Sequence, residues 1–457
     1  MNTAREFTGA SSFYGGLSQV MKFLLLTVAL IMGMFVSFQA RAQLEIDIVH
    51  GAPEPLPVAI PDFLSSHPET DQIAKDIASV IAADLERSGL FRVLDKSMYI
   101  EKQTDINYQP SFADWRLINA KALLSGKIVR EGSNRLKVEF RLWDIYGTEQ
   151  LDGKRLATTP DNWRRIAHKI SDNIYKRLTG EGGYFDSRIV YISESGPKTN
   201  RRKRLAIMDA DGDNPQYLLA GADLVLTPRF SPTAQTITYL SWETGRSQVY
   251  LLDIETGRRE LLGNFPNMTI SPRFSPDGRK LIFSMIKKGN SDIYVFDLRS
   301  RSTTRLTTNQ AIDVSPSFSP DGRKVVFNSD RGGSPQLYTM NADGSNVRRL
   351  SFGAGRYTAP AWSPRGDLIA FTKSNKGKFH IGVINAKDGK GERLLTNSYL
   401  DEGPTWSPNG RVILFTREGR GISGRSAIWS VDLTGRNLRK VPTPGAASDP
   451  AWSPILP

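Results

Sequence analysis

The 457-residue chain carries 60 Lys/Arg against 47 Asp/Glu, a formal net charge of +13, with 39% hydrophobic residues. That balance belongs to a folded globular protein of two or three domains and excludes disordered and collagen-like classes. It contains no cysteine, which excludes disulfides, thiolate metal centres and a cysteine nucleophile.

In chain order, Lys22 precedes a continuous apolar run from Phe23 to Phe38, followed by Ala40-Arg41-Ala42. This is the n-region, h-region and A-x-A pattern of a secretory signal, with cleavage expected after Ala42. The run is shorter than the roughly 20 residues of a membrane span, so residues 1–42 are expected to leave and no transmembrane segment is expected in the mature chain. Met21 directly before Lys22 offers a second start site beside Met1. Nearly all of the basic excess lies beyond residue 181. Such a surface attracts acidic partners, but export places it away from nucleic acid, which is not expected as a partner.

Residues 43–180 are expected to form a small α/β domain. The new amino terminus, Gln43, Leu44, Glu45, Ile46, Asp47, Ile48, Val49 and His50, alternates apolar and acidic residues with strand periodicity. Such a segment can pair within its own domain or add to a partner's sheet edge. A proline-rich break over Gly51–Pro57 separates it from a short buried strand at Val58–Ile60. A helix opens at Glu69-Thr70-Asp71, with Ile73, Ile77, Val80, Ile81 and Leu85 on one face, and ends at Gly89. A strand at Phe91–Leu94, a short helix at Trp115–Asn119, and a hairpin of Ala122–Val129 with Leu136–Asp144 follow. A second amphipathic helix, Asp161–Leu178, closes the domain, and the Gly-rich stretch 179–183 marks its boundary.

Residues 184–457 are a repeat. The pair Ser-Pro recurs at Ser231, Ser275, Ser319, Ser363 and Ser407, each 44 residues after the last, and again at Ser453. Downstream, Asp209, Asp253, Asp297, Asn341, Asn385 and Asp432 each end a β-type run and open a tight turn. About four short strands in a unit of this length is the signature of a β-propeller blade. Six such turns give six blades. The first unit lacks its own Pro-x-aromatic-Ser-Pro strand, while a spare copy, Pro450-Ala451-Trp452-Ser453-Pro454, stands at the end of the sequence. The expected fold is therefore an α/β domain followed by an all-β six-bladed propeller whose last strand returns to complete the first blade and remove two free edges.

The repeated Asp/Asn-Gly and Arg-Gly turns are scaffold, with glycine supplying a positive φ. Segments just before each Pro-x-aromatic copy vary: Leu224–Thr227, Met268–Ser271, Ile312–Ser315, Tyr357–Ala359, Leu400–Gly403 and Ala447–Asp449. All occupy one topological position and should gather on one face around the channel mouth. Met268, Ile270, Ile312, Val314, Tyr357 and Leu400 give that face the apolar character of a protein-binding rim, although about half of such residues belong in a core. With their neighbours Thr269, Ser271, Asp313, Asp401 and Glu402 they form the candidate site.

Catalytic and metal chemistry is not expected. The histidines, His50, His67, His168 and His380, are scattered, and no Gly-x-Ser-x-Gly occurs. Asp209-Ala210-Asp211-Gly212-Asp213 begins like a calcium loop, but Asn214 and Ala220 stand where glycine and glutamate are required. No cofactor or metal is expected.

The export signal, the α/β domain ending Lys176-Arg177-Leu178-Thr179-Gly180, six Ser-Pro-Asp-Gly-type repeats, Tyr399-Leu400-Asp401-Glu402-Gly403-Pro404 and the terminal Pro450–Pro454 together resemble the TolB family of the Tol–Pal system. The resemblance covers the whole mature chain. It implies a periplasmic, non-enzymatic adaptor that maintains outer-membrane integrity and constriction during cell division. It implies Pal, a lipoprotein, at the propeller mouth, with Met268, Ser271 and Val314 facing it. It also implies TolA at Gln43–Ala52 and allows other outer-membrane proteins as partners of a monomer. Two alternatives remain open: a periplasmic propeller hydrolase or lyase, with carboxylates or metal ligands converging in the channel, and a peptidoglycan- or carbohydrate-binding module with an aromatic groove.

Overall fold

Residues 44, 46, 54–197, 200–219, 224–263, 265, 267–421 and 424–455 are described by the structure, a computed structural model. The expected signal sequence and most of the amino-terminal segment, Gln43, Glu45 and Asp47–Ala52, lie outside them. The chain divides into two units, 1–44 and 45–457. Of the first, only Leu44 is described, and it is half-buried.

The α/β domain is built on strands β1 (Leu56–Ala59), β2 (Leu64–Ser65), β3 (Phe91–Val93), β4 (Ala122–Arg130), β5 (Leu136–Asp144) and β6 (Glu149–Thr158). Its order is β3-β1-β4-β5-β6, with β1 parallel to both neighbours, a β4–β5–β6 meander, and β2 beside β4. Helices α1 (Pro68–Arg87), α2 (Phe112–Leu117) and α3 (Trp163–Thr179) complete it. The apolar stripes of α1 (Ile77, Ile81, Leu85) and α3 (Ile166, Ile170, Ile174, Leu178) are buried. Helix α3 begins two residues beyond Asp161, because Pro160–Asn162 form a 3-10 turn, and it ends at Gly180 with φ 70°. Strand β6 escaped the sequence reading: Asp152, Gly153 and Lys154 disfavour a strand, and it forms because its whole length pairs with β5.

Among the described residues, the strands from Arg188 onward form six four-stranded antiparallel sheets. Their innermost strands are Ala446–Trp452, Val225–Phe230, Met268–Phe274, Asp313–Phe318, Arg356–Trp362 and Asp401–Trp406, numbered here as blades one to six. Blade one is completed by the last strand, Ala446 pairing with Glu194 and Trp452 with Ile189. Trp452 also donates its indole N–H to Ser187 Oγ (2.8 Å), and Arg188 N–H donates to Ser453 Oγ (2.8 Å). The ring therefore closes through a strand separated from its partner by the whole propeller sequence, as expected.

Between blades lie aromatic and aliphatic clusters, such as Ile282, Ile293, Val325, Phe327 and Met340. The repeated Ser-Pro-Asp-Gly turn is stabilised locally. Ser275 Oγ donates to Asp277 Oδ1 (2.5 Å) and accepts from Lys280 N–H (2.9 Å), and Ser319 repeats this with Asp321 and Lys324. A structural role thus accounts for the motif's recurrence.

Candidate functional site

Each innermost strand runs towards its Ser-Pro turn and breaks register midway. The breaks fall between Leu226 and Arg229, Ile270 and Arg273, Val314 and Ser317, Thr358 and Ala361, Glu402 and Thr405, and Ser448 and Ala451. The cause is the proline at each break: it has no N–H for the ladder, and a bulge absorbs the loss. The residue before each proline takes a positive φ: Thr227 48°, Ser271 54°, Ser315 55°, Ala359 48°, Gly403 66° and Asp449 48°. Only Gly403 does so without a Cβ penalty. The freed N–H groups turn to a neighbouring blade, as in Gly403 to Thr372 Oγ1 (3.2 Å) and Asp449 to Thr416 Oγ1 (3.0 Å).

Residues ahead of the bulge reach the rim, and burial divides them. Met268 and Ile312 are 48% and 46% exposed. Ile270, Ser271, Val314 and Leu400 are half-buried, and Glu402 is exposed. Thr269, Asp313, Tyr357 and Asp401 are buried. Asp313 accepts two bonds from Arg331 (2.9 and 2.8 Å), and Asp401 two from Arg417 (2.7 and 2.8 Å). Arg417 uses Nε and Nη2 in a bidentate pair, while Arg331 reaches both Asp313 oxygens through Nη2, and each neutralises a carboxylate beneath the rim.

Tyr357 corrects the expectation of an apolar rim side chain. Its hydroxyl donates to Glu392 Oε2 (2.6 Å), its ring packs on Phe371 (centroids 5.1 Å apart), and Lys373 Nζ lies 4.7 Å from its centroid. A phenol with a half-buried carboxylate in reach folds inward rather than out.

Two rim aromatics were missed in the sequence. Phe352 (71% exposed) and Tyr399 (45%) lie on connections leading into the innermost strands, each beneath an arginine, Arg349 and Arg420. Their signal was available: both stand in loops, where a large aromatic has no core to fill. With Leu224 (43%), Met268 and Ile312, they place a large apolar side chain at five of the six blade entries. Glu402 adds charge at the mouth. The protein atoms crowding its carboxyl first, then the Asp449 and Glu418 charges, raise it above the ordinary carboxylate range, although the side chain still meets solvent.

The opposite face, formed by the Ser-Pro and Asp/Asn turns, carries the α/β domain. Glu181 bonds Arg365 (2.7 Å) and, through both oxygens, Arg411 (2.6 Å to Nε). Arg164 of α3 meets Asp211 (2.5 Å) and Asp213 (2.8 Å) in the first propeller hairpin, and Asn437 donates to the Arg87 carbonyl (2.9 Å).

Asp84, His168 and Asp211 approach one another here, within 4.8 Å, and are the one group among the described residues with metal-ligand spacing. Their charge is already met: Asp84 pairs with Arg87 (2.7 Å) and His168 Nδ1 (2.7 Å), and Asp211 with Arg164. Two guanidiniums stand where a cation would supply charge, so the cluster is an ion-pair network. Burial lowers the His168 imidazole, but Asp84 and then Asp211 outweigh it and raise the group overall.

Of the amino-terminal candidates only Leu44 and Ile46 are described. Ile46 is buried and its N–H donates to the Leu178 carbonyl at the end of α3 (2.7 Å). His380, half-buried on the third strand of blade five, has Nδ1 2.7 Å from the Thr396 carbonyl oxygen.

The TolB amino-terminal domain family matches residues 44–151, and the TolB beta propeller domain family matches residues 175–456. The Tol-Pal system protein TolB of Paramagnetospirillum magneticum is 53% identical over 252 residues, which cover 55% of this chain and 56% of that protein. The chain thus spans about half the length of the curated relative it matches. The crystal structure of TolB from Acinetobacter baumannii is similar with a TM-score of 0.79 at 30% identity, covering 90% of this chain and 100% of that one. No helix among the described residues is long and apolar enough to cross a membrane.

Proposed function

The chain belongs to the TolB family, and from that premise we propose that it is a non-enzymatic periplasmic adaptor of the Tol–Pal system. In this reading the rim takes Pal and the segment Gln43–Ala52 takes TolA, coupling the two to maintain the outer membrane and its constriction during division. The observation that carries the reading is the apolar rim. Leu224, Met268, Ile312, Phe352 and Tyr399 stand exposed on the face turned away from the α/β domain. A ring of exposed large side chains around a polar mouth is the composition of a protein-binding surface. The half-buried Ile270, Ser271 and Val314 line the approach, while Thr269, Asp313, Tyr357 and Asp401 support it from below.

The test is capture from an envelope extract by the mature chain, with and without residues 43–52. Both forms should recover Pal, and TolA should be lost from the shorter one. Recovery of neither by the full mature chain refutes the adaptor reading.

A further inference from the structure

At the α/β-facing end, the propeller channel widens into a cavity of about 890 Å³. Its wall contains one proline from every repeat, Pro232, Pro276, Pro320, Pro364, Pro408 and Pro454. Between them lie Trp362, Trp406 and Trp452. The indole N–H groups are already committed, to the carbonyls of Gly366 (3.2 Å) and Ala361 (2.9 Å) and to Ser187 Oγ (2.8 Å). These residues offer a ligand their rings and no donor.

The wall holds two arginines: Arg365 is bonded to Glu181 (2.7 Å), which leaves Arg273 as the lining cation without a carboxylate. The position after each bulge proline is Ala451, Arg229, Arg273, Ser317, Ala361 and Thr405 around the ring. Four are small, and the two arginines occupy neighbouring blades. Arg273 lines the cavity, and its Nε is sealed from solvent without a hydrogen-bond partner. Among the described residues no carboxylate pairs with it. Arg229 spends its Nη1 on the carbonyl of its own neighbour, Pro228 (2.6 Å). Burial, and secondarily the Arg229 charge, bring the Arg273 guanidinium down to about 9, so it still carries its proton at neutral pH.

Arg273 is half-buried and has no carboxylate beside it among the described residues, so it keeps part of its desolvation cost, which an anion in the site would offset. A guanidinium edge matches the two oxygens of a carboxylate, and walls of proline and tryptophan rings match an apolar or aromatic body. The volume is that of a small-molecule pocket.

We propose that this proline-ringed cavity is a binding site for a carboxylate borne on an aromatic or apolar body, with Arg273 as the anion receptor. It lies at the opposite end of the channel from the rim and does not depend on the adaptor reading. The wall also includes Glu181–Gly183, the connection between the two domains, so a bound ligand would touch the domain junction.

The probe is 4-phenylbutyrate, compared with its uncharged amide and with a chitotetraose, each titrated into the mature full-length chain and followed by tryptophan fluorescence and calorimetry. The acid should bind at least about tenfold more tightly than the amide, the order expected for a charge-assisted pair. Arg273→Met should erase that preference while leaving residual binding of both, and Arg273→Lys should keep part of it. Leu117→Gln, exposed on the α/β domain away from the cavity, should leave the acid–amide preference unchanged. Equal binding of acid and amide, binding of the sugar in preference to the acid, binding of none, or an unchanged preference in Arg273→Met would overturn the proposal. The acid–amide comparison uses the unaltered chain, so it decides the matter even if the Arg273 variants do not fold.

Discussion

The two faces of the propeller are made by one repeating chain, yet their chemistry differs. On the α/β-facing side, short turns of nearly constant sequence carry ion pairs: Glu181 with Arg365 and Arg411, and Arg164 with Asp211 and Asp213. On the other side the connections vary, and large apolar side chains stand in solvent at Leu224, Met268, Ile312, Phe352 and Tyr399. Charge-assisted bonds hold a domain in a fixed orientation, whereas exposed apolar surface is stabilising only once a partner covers it. One face is thus a completed interface and the other an uncovered one.

The comparison exists only while the ring is closed, so the largest expected effect comes from opening it. Truncation before Asp449 removes half of the closing strand with the Ala451 and Trp452 pairings and the Trp452–Ser187 bond. It exposes the edges of blade one and leaves Tyr184 without the Trp452 ring, whose centroid lies 5.6 Å from its own. The shortened chain should show no cooperative thermal unfolding of the propeller by circular dichroism. A normal melt would mean that the two faces persist without closure.

Closure was legible in the sequence because a spare Pro-x-Trp-Ser-Pro copy at 450–454 had no other blade to join. Blade number and strand order followed from the period, since identical turn chemistry at fixed spacing has few structural solutions. The site was legible only in position. Neighbours with similar sequence character diverged: Met268 faces solvent while Thr269 is buried, and Ile312 is exposed while Asp313 lies on Arg331. Strand alternation explains that much. The inward turn of Tyr357 was not legible, because its partner Glu392 is 35 residues away and meets it only through blade packing. The same holds for the Asp84–His168–Asp211 network, which joins two helices and a propeller hairpin.

A smaller effect should come from protons at the completed face. His168 is surrounded by Asp84, Asp209 and Asp211, with Arg87 and Arg164 beside them, and its folded-state pKa is raised. A histidine raised in this way contributes stability that is fully present below its unfolded pKa and is lost as pH rises through the folded value. Asp172, whose carboxyl is pushed up to about 6 by burial despite bonds from Phe185 and Asp186 N–H, acts in the same direction. The melting temperature should therefore fall with rising pH, from about pH 4 to about pH 6 through Asp172 and above the ordinary imidazole value of about 6.5 through His168. His168→Gln should flatten the part due to the imidazole, lowering the transition by about 2 °C at pH 6. An unchanged pH slope in that variant would assign the dependence elsewhere and leave the ion-pair face insensitive to the histidine.

The smallest effect on stability should come from the uncovered face, and its smallness is the sharpest statement of the difference. Met268 begins the innermost strand of blade three with nearly half its surface in solvent. Met268→Asp should leave the melting transition within about 0.5 kcal/mol of the parent, because almost no burial is lost. The same substitution places a charge in the apolar ring beside Ile312, and it should weaken Pal capture by about tenfold or more if that ring forms the centre of the contact. Measured together, the two numbers separate scaffold from site. A large loss of stability would make Met268 part of the blade packing. An unchanged melt with unchanged capture would move the contact away from blade three, towards Phe352 and Tyr399 on the other side of the mouth.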